Sequence, residues 1–151
     1  MLRLSRKTML ALEAVLDVAY NARPDPVQSK DITARQGIPQ RYLEQVMQQL
    51  VHHGVLKGVR GPKGGYTLAR ERRRITVGDV VRVVDKVDAA AEDSEPVSQA
   101  ELGEKVVAPL WSETRDAILE RLDQISMEDL CRQARELGIA HGGKMKPDFS
   151  I

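Results

Sequence analysis

The 151-residue sequence holds one cysteine, one tryptophan and three histidines, and aromatic residues make up only 3% of it. A lone cysteine, Cys131, excludes an internal disulfide framework and a metal site built from several cysteines. So few rings argue against a platform that stacks successive bases of a single strand. No run of 18 apolar residues is present, which excludes a transmembrane helix. Arg3, Arg6 and Lys7 precede no long apolar stretch, so the N-terminus does not read as a signal peptide. A cytosolic location is expected. No nucleophile–base constellation or metal spacing stands out. Gly61-Pro62-Lys63-Gly64-Gly65 lacks the spacing before Lys-Ser/Thr, and the helix after it, that a phosphate loop requires. Neither an enzyme nor a metal or cofactor site is therefore expected.

What is present is an uneven charge. The net charge is only +1. Residues 1–86, however, carry 16 Lys/Arg against 8 Asp/Glu, and residues 87–151 carry 7 against 14. A basic half points to a polyanion, and with so few rings duplex DNA is the better partner.

The basic half reads as three helices and a hairpin. Ser5 can cap a helix over about 6–22, with Met9, Leu12, Val15, Leu16 and Ala19 inward. Arg23-Pro24-Asp25-Pro26 ends it. Ser29 is placed to cap a short helix over 30–36, with Ile32 and Ala34 inward, and Gly37 stops it. A third helix over 40–53 follows Pro39 and buries Leu43, Val46, Met47 and Leu50. The runs Val55, Leu56, Val59 and Tyr66, Leu68 flank a Gly/Pro tip and read as a β-hairpin. Two helices joined by a tight turn, then a hairpin, form a winged helix-turn-helix.

The polar residues Gln40, Arg41, Tyr42, Glu44, Gln45 and Gln48 then fall where the second helix enters a major groove. Arg can fork onto guanine, Gln onto adenine, and Glu can accept from cytosine. A solvated helix face has the same composition; the adjoining hairpin tips the reading towards DNA. Arg60 can enter a narrow minor groove, and Gly61, Pro62 and Lys63 complete the contacting tip. The run Arg70, Arg72, Arg73, Arg74 reads as a solvated turn.

Thr76 is expected to cap a helix over 77–85. Residues 89–103, rich in Glu, Asp, Ser and Pro, read as a loop. The longest helix spans 104–124, with Val107, Leu110, Trp111, Ile118, Leu119 and Leu122 on its apolar side and Pro109 near its start. Such a stripe needs cover, most simply from a second copy about a two-fold axis. Ser126-Met127-Glu128-Asp129 is a capping box for a last helix closed by Gly138. The fold class expected is mainly α, a winged helix-turn-helix with a two-stranded wing and a long dimerisation helix. It divides into a DNA-binding domain (1–86), a variable loop (87–103), the dimerisation and last helices (104–138) and a flexible tail (139–151).

The chain resembles a family of dimeric winged-helix repressors that includes the iron–sulfur cluster regulator, the nitric-oxide-sensing repressor and the cysteine metabolism repressor. Arg3-Leu4, Leu16-Asp17-Val18-Ala19, Asp31-Ile32, Gln36-Gly37-Ile38, Tyr42-Leu43-Glu44-Gln45, Val59-Arg60-Gly61-Pro62, Gly64-Gly65-Tyr66-Thr67-Leu68 and Val77-Gly78-Asp79-Val80 carry the likeness, which covers about 3–137. It implies base contacts from Glu44 and Gln45 and a minor-groove contact from Arg60. Arg41 replaces a serine of the cluster regulator, which implies a different operator. The Leu110-Trp111 pair also fits the family's dimer helix; with Ile118 and Leu122 of the same apolar stripe it makes the expected dimerisation surface, and a two-fold dimer implies a pseudo-palindromic site. Many members hold a cluster with cysteines between the fourth helix and the dimer helix; here residues 88–108 contain no Cys or His, so no cluster is expected there. Other inputs are a redox-active Cys131, against the reading of a buried filler, or a metal at His52, His53 and His141. His52 and His53, neighbours on a helix, would point about 100° apart and make poor joint ligands. The tail end Asp148-Phe149-Ser150-Ile151 resembles the C-terminus of serine acetyltransferase, which implies cysteine synthase as a partner and cysteine metabolism as the process controlled; the alternative function is a protein-interaction module that binds cysteine synthase through this tail.

Overall fold

The computed structural model describes residues 5–22, 24–91 and 100–141, with backbone alone for 88–91. Helix α1 (Arg6–Asn21) is the central element. Ser5 caps it by accepting the Thr8 N–H at 3.2 Å. Ala11, Ala14, Val15 and Val18 are wholly buried, and the small alanines let neighbouring helices approach α1 closely. Met9, expected inward, is 44% exposed, although Thr8 beside it is buried: the buried face of α1 passes through Thr8, Ala11 and Val15, and Met9 falls to its side.

Helix α2 (Ser29–Gln36) starts one residue earlier than expected. Its N-cap is Gln28, whose carbonyl accepts the Asp31 N–H at 3.0 Å, so Ser29 lies inside the helix rather than capping it. Ile32 is buried but Ala34 is exposed: two positions apart on a helix cannot share one narrow face. Gly37 takes φ +66° and ends α2 in the left-handed region, which favours glycine. Helix α3 (Gln40–His52) buries Leu43, Val46, Met47 and Leu50 as read.

Strands β1 (Leu56–Val59) and β2 (Gly65–Leu68) pair antiparallel, with Leu56 opposite Leu68 and Val59 opposite Gly65. A single turn of 3-10 helix, Arg72–Arg74, leads to α4 (Val77–Ala91). Thr76 and Asp79 cap α4 reciprocally, each side chain accepting the other's N–H at 3.0 Å. The helix runs past Asp85, where it was expected to end, because the alanines at 89–91 are strong helix formers.

The helix expected over 104–124 is α5 (Ala108–Leu122), preceded by a π-helical stretch, Gly103–Val107. Pro109 explains the π stretch. It has no N–H to give, and its ring would strike the carbonyl four residues back, so the preceding turn widens. Helix α6 (Met127–Glu136) opens on the Ser126–Asp129 capping box and buries Met127, Cys131 and Ala134. Two bonds tie its start to the start of α4: Val77 N–H to Ile125 O and Met127 N–H to Ile75 O, both 2.8 Å. The chain thus leaves the winged-helix body along α5 and returns to it at α6. No described helix is long and apolar enough to cross a membrane.

Candidate nucleic-acid interface

At about 100° per residue, Arg41, Glu44, Gln45 and Gln48 fall on the side of α3 opposite its buried stripe. All four are exposed. The remaining expected readers lie on the flanks. Tyr42 turns towards α1, half-buried against the core, and its hydroxyl donates to the Lys7 carbonyl at 3.0 Å. Gln40 turns towards α2: the Thr33 hydroxyl donates to Gln40 Oε1 at 3.2 Å, and Gln40 Nε2 donates to Glu44 Oε1 at 3.0 Å. Thr33 carries no charge, falls outside the reading helix, and gave no sequence signal.

The wing follows α3 in the chain, and its first strand packs on that helix. Its tip holds Arg60, Gly61, Pro62 and Lys63, all exposed. Gly61 has φ +113°, and its carbonyl accepts the Gly64 N–H at 2.9 Å, closing the turn. A side chain at Gly65 would fall on the Val27 carbonyl oxygen, well inside contact distance. That approach has a purpose in the fold: Val27 pairs with Tyr66 through two backbone bonds, 2.9 and 2.8 Å. Val27, two residues before α2, thereby becomes a third pairing partner of the wing, and the hairpin is stitched to the helix-turn-helix. Gln28 Nε2 also reaches the Pro62 carbonyl at 3.5 Å. Among the described residues no carboxylate forms an ion pair with Arg41, Lys57, Arg60 or Lys63. The arginines after the wing are engaged instead: Arg70 with Asp79, Arg72 with Glu128, Arg73 with Glu71.

The position of α2 depends on Asp17, a wholly buried carboxylate on α1. Arg35 grips it with two bonds, Nε to Oδ2 at 2.9 Å and Nη2 to Oδ1 at 2.7 Å, and Gln36 Nε2 adds a third at 2.8 Å. The bond to Asp17 holds the Arg35 guanidinium above its ordinary pKa. Asp17 interrupts the apolar face of α1, and that break in pattern was the one available signal for this clamp. A second bidentate pair, Arg82 on α4 with Asp123 after α5, is joined by Arg115 with Asp85. The Arg82 hydrogen bond keeps the Asp123 carboxyl below the usual range.

Helix α5 leaves much of its apolar side uncovered. Leu110 is 63% exposed, Trp111 55% and Ile118 44%, continuing a patch begun by Val106 and Val107. Leu122, read with them, instead packs half-buried on the core of its own chain. Cys131 is buried, and burial pushes its thiol above the ordinary pKa despite nearby Arg72. His141 stacks on Tyr20 with ring centroids 4.0 Å apart, while His52 and His53 lie edge to face on and just after α3. The tail residues Asp148, Phe149, Ser150 and Ile151 lie outside the described residues.

A model of the Rrf2 family, described as an iron-dependent transcriptional regulator, matches residues 4–133. The HTH-type transcriptional regulator IscR of Xenorhabdus nematophila is 38% identical over 141 residues, spanning 92% of this chain and 85% of that protein. IscR of Escherichia coli is 36% identical, covering 92% and 86%. Among solved structures, IscR of T. potens superposes with a TM-score of 0.71 at 36% identity, covering 92% of this chain and 93% of that one. CymR, the global cysteine regulator of B. subtilis, gives 0.66 at 32% identity, covering 88% and 98%. The side chains of this protein do not fit the iron–sulfur cluster that such a likeness implies. The segment 88–108 offers no Cys or His. Among the described residues no three His, Cys, Asp or Glu side chains converge as a metal site requires.

Proposed function

The chain belongs to the Rrf2 family of transcriptional regulators, and from that premise we propose that it is a homodimeric repressor that reads a pseudo-palindromic operator without a bound cluster. The observation that carries this reading is the exposed face Arg41, Glu44, Gln45, Gln48 on a helix that leads directly into a wing whose cations have no carboxylate partner among the described residues. Base-reading groups and phosphate- or groove-seeking cations are what a duplex needs from one surface. Arg60 is the minor-groove probe and Lys63 a phosphate contact, with the Gly61 backbone at the same tip.

The uncovered side of α5 supports the dimer. Leu110 and Trp111, each more than half exposed, form the kind of apolar patch that a soluble chain covers with a partner. A second copy supplies the same patch in two-fold register. Control of cysteine or sulfur genes is the process we infer, supported by the likeness to CymR and by the poor fit to a cluster. Cysteine synthase, bound through residues 148–151, is the partner that this process suggests; a pulldown with Ile151 deleted tests it.

The test of DNA binding is a gel shift on the duplex upstream of the protein's own gene at physiological salt. Wild type is expected to shift it. Arg60→Ala is expected to weaken binding about tenfold, in line with the loss of one good groove contact. Equal affinity of the variant would remove the wing from the interface.

A further inference from the structure

Resting on the DNA-reading role of α3, we propose that Thr33 and Gln40 form a hydrogen-bond relay that aims Glu44 at a single base. Thr33, which lies on α2 and off the reading face, then becomes a positioning residue that determines sequence specificity.

A carboxylate on a DNA-reading face needs a reason. The phosphates of the duplex repel it, and the acceptor groups of guanine and thymine in the major groove repel it again. Only the amino groups of cytosine and adenine offer it a donor, and a glutamate reader accepts from cytosine N4. A glutamate aimed well therefore selects one base pair by attraction and rejects the others by repulsion. A glutamate free to swing away does neither.

The structure aims it. Gln40 and Glu44 are four residues apart, the spacing at which helix side chains meet. Gln40 Nε2 donates to Glu44 Oε1 at 3.0 Å, and the Thr33 hydroxyl donates to Gln40 Oε1 at 3.2 Å. The order of donors follows from the chemistry. An ionised carboxylate can only accept, so the amide must offer it nitrogen, which turns the amide oxygen towards the hydroxyl. Both ends of Gln40 are thus engaged, which makes it an aiming residue rather than a reader. Glu44 Oε2 receives no bond from a described residue and is the oxygen left for the base. Thr33 is itself fixed, because Arg35 and Gln36, two and three residues on, are clamped to buried Asp17. A glutamate already restricted loses less side-chain freedom when it meets its base.

The probe is a pool of duplexes with a randomised core, selected at physiological salt by the full-length dimer and sequenced. Wild type, Glu44→Ala, Thr33→Val, Thr33→Ser and Gln40→Ala are compared, with a thermal melt of each. Glu44→Ala is expected to flatten the preference at one base pair in each half-site. Thr33→Val, which keeps the shape and removes the hydroxyl, is expected to reduce preference at that same base pair about fivefold or more. Gln40→Ala should do likewise, while all other positions and the melting temperature hold. Thr33→Ser should restore the wild-type pattern. The relay is wrong if Thr33→Val keeps the full preference while Glu44→Ala loses it. It is equally wrong if Thr33→Val weakens every position alike, the mark of a merely structural role. If wild type enriches no sequence at all, the reading role of α3 falls and takes the relay with it.

Discussion

The side chains that hold this interface in place are mostly not the ones that face outward. Asp17 is the clearest case. It is a wholly buried carboxylate with three hydrogen bonds, two from Arg35 and one from Gln36, and it fixes the first helix of the helix-turn-helix against α1. Removing one partner of a buried pair costs more than the pair contributes, because the other charge is stranded. Asp17→Ala is expected to lower stability by about 3 kcal/mol, read as a fall in denaturation midpoint. Cys131 makes the opposite point. Its thiol is buried and pushed upward in pKa, so the neutral form prevails in the fold. It should react with Ellman's reagent far more slowly in the native protein than in denaturant at pH 7. The raised folded pKa also sets a sign. The unfolded thiol ionises first, so the stability that Cys131 contributes is full below about pH 8.5 and declines as pH rises through that value. The outward residues Arg41, Glu44, Gln45 and Arg60 were legible in the sequence as charge and amide groups at helical or hairpin positions. Asp17 was legible only as a break in the apolar face of α1, and Thr33 not at all, because which side chains they meet depends on how α1, α2 and α3 come together.

Among the elements, the wing depends most on backbone contact. Its hairpin was readable from two apolar runs around a Gly/Pro tip. The pairing of Tyr66 with Val27 was not, since it joins the hairpin to a stretch 39 residues earlier. That pairing is what makes Gly65 necessary. An added Cβ there would meet the Val27 carbonyl, which is backbone and cannot turn aside. Gly65→Ala is expected to loosen the wing: faster hydrogen exchange at the Val27 and Tyr66 amides, and duplex affinity reduced to about that of Arg60→Ala, about tenfold below wild type. The helix boundaries that moved have similar causes. Helix α4 outran its expected end on helix-forming alanines, and Pro109 produced a π stretch rather than a simple helix start. Both outcomes depend on how a backbone accommodates a residue, which the apolar period does not record.

For the whole molecule, the division of charge falls in line with the architecture. The basic half builds the helix-turn-helix and wing, while the acidic half builds α5 and α6, with the acidic residues Asp123 and Glu128 paired back to Arg82 and Arg72 of the basic half. The Arg82–Asp123 pair ties the end of α5, and the Arg72–Glu128 pair ties α6, to the body that carries α3, so in the proposed dimer a second copy seated on α5 would fix the spacing of the two α3 helices. On this proposal two copies of α3 lie in successive major grooves, with wings in the flanking minor grooves. Footprinting on the upstream duplex tests it most directly, combining methylation interference at guanine N7 with hydroxyl-radical cleavage. Two interfered half-sites about 10 base pairs apart, related by a two-fold axis, are expected, with minor-groove protection flanking each. Protection spread evenly along the duplex, or none at physiological salt, would contradict it.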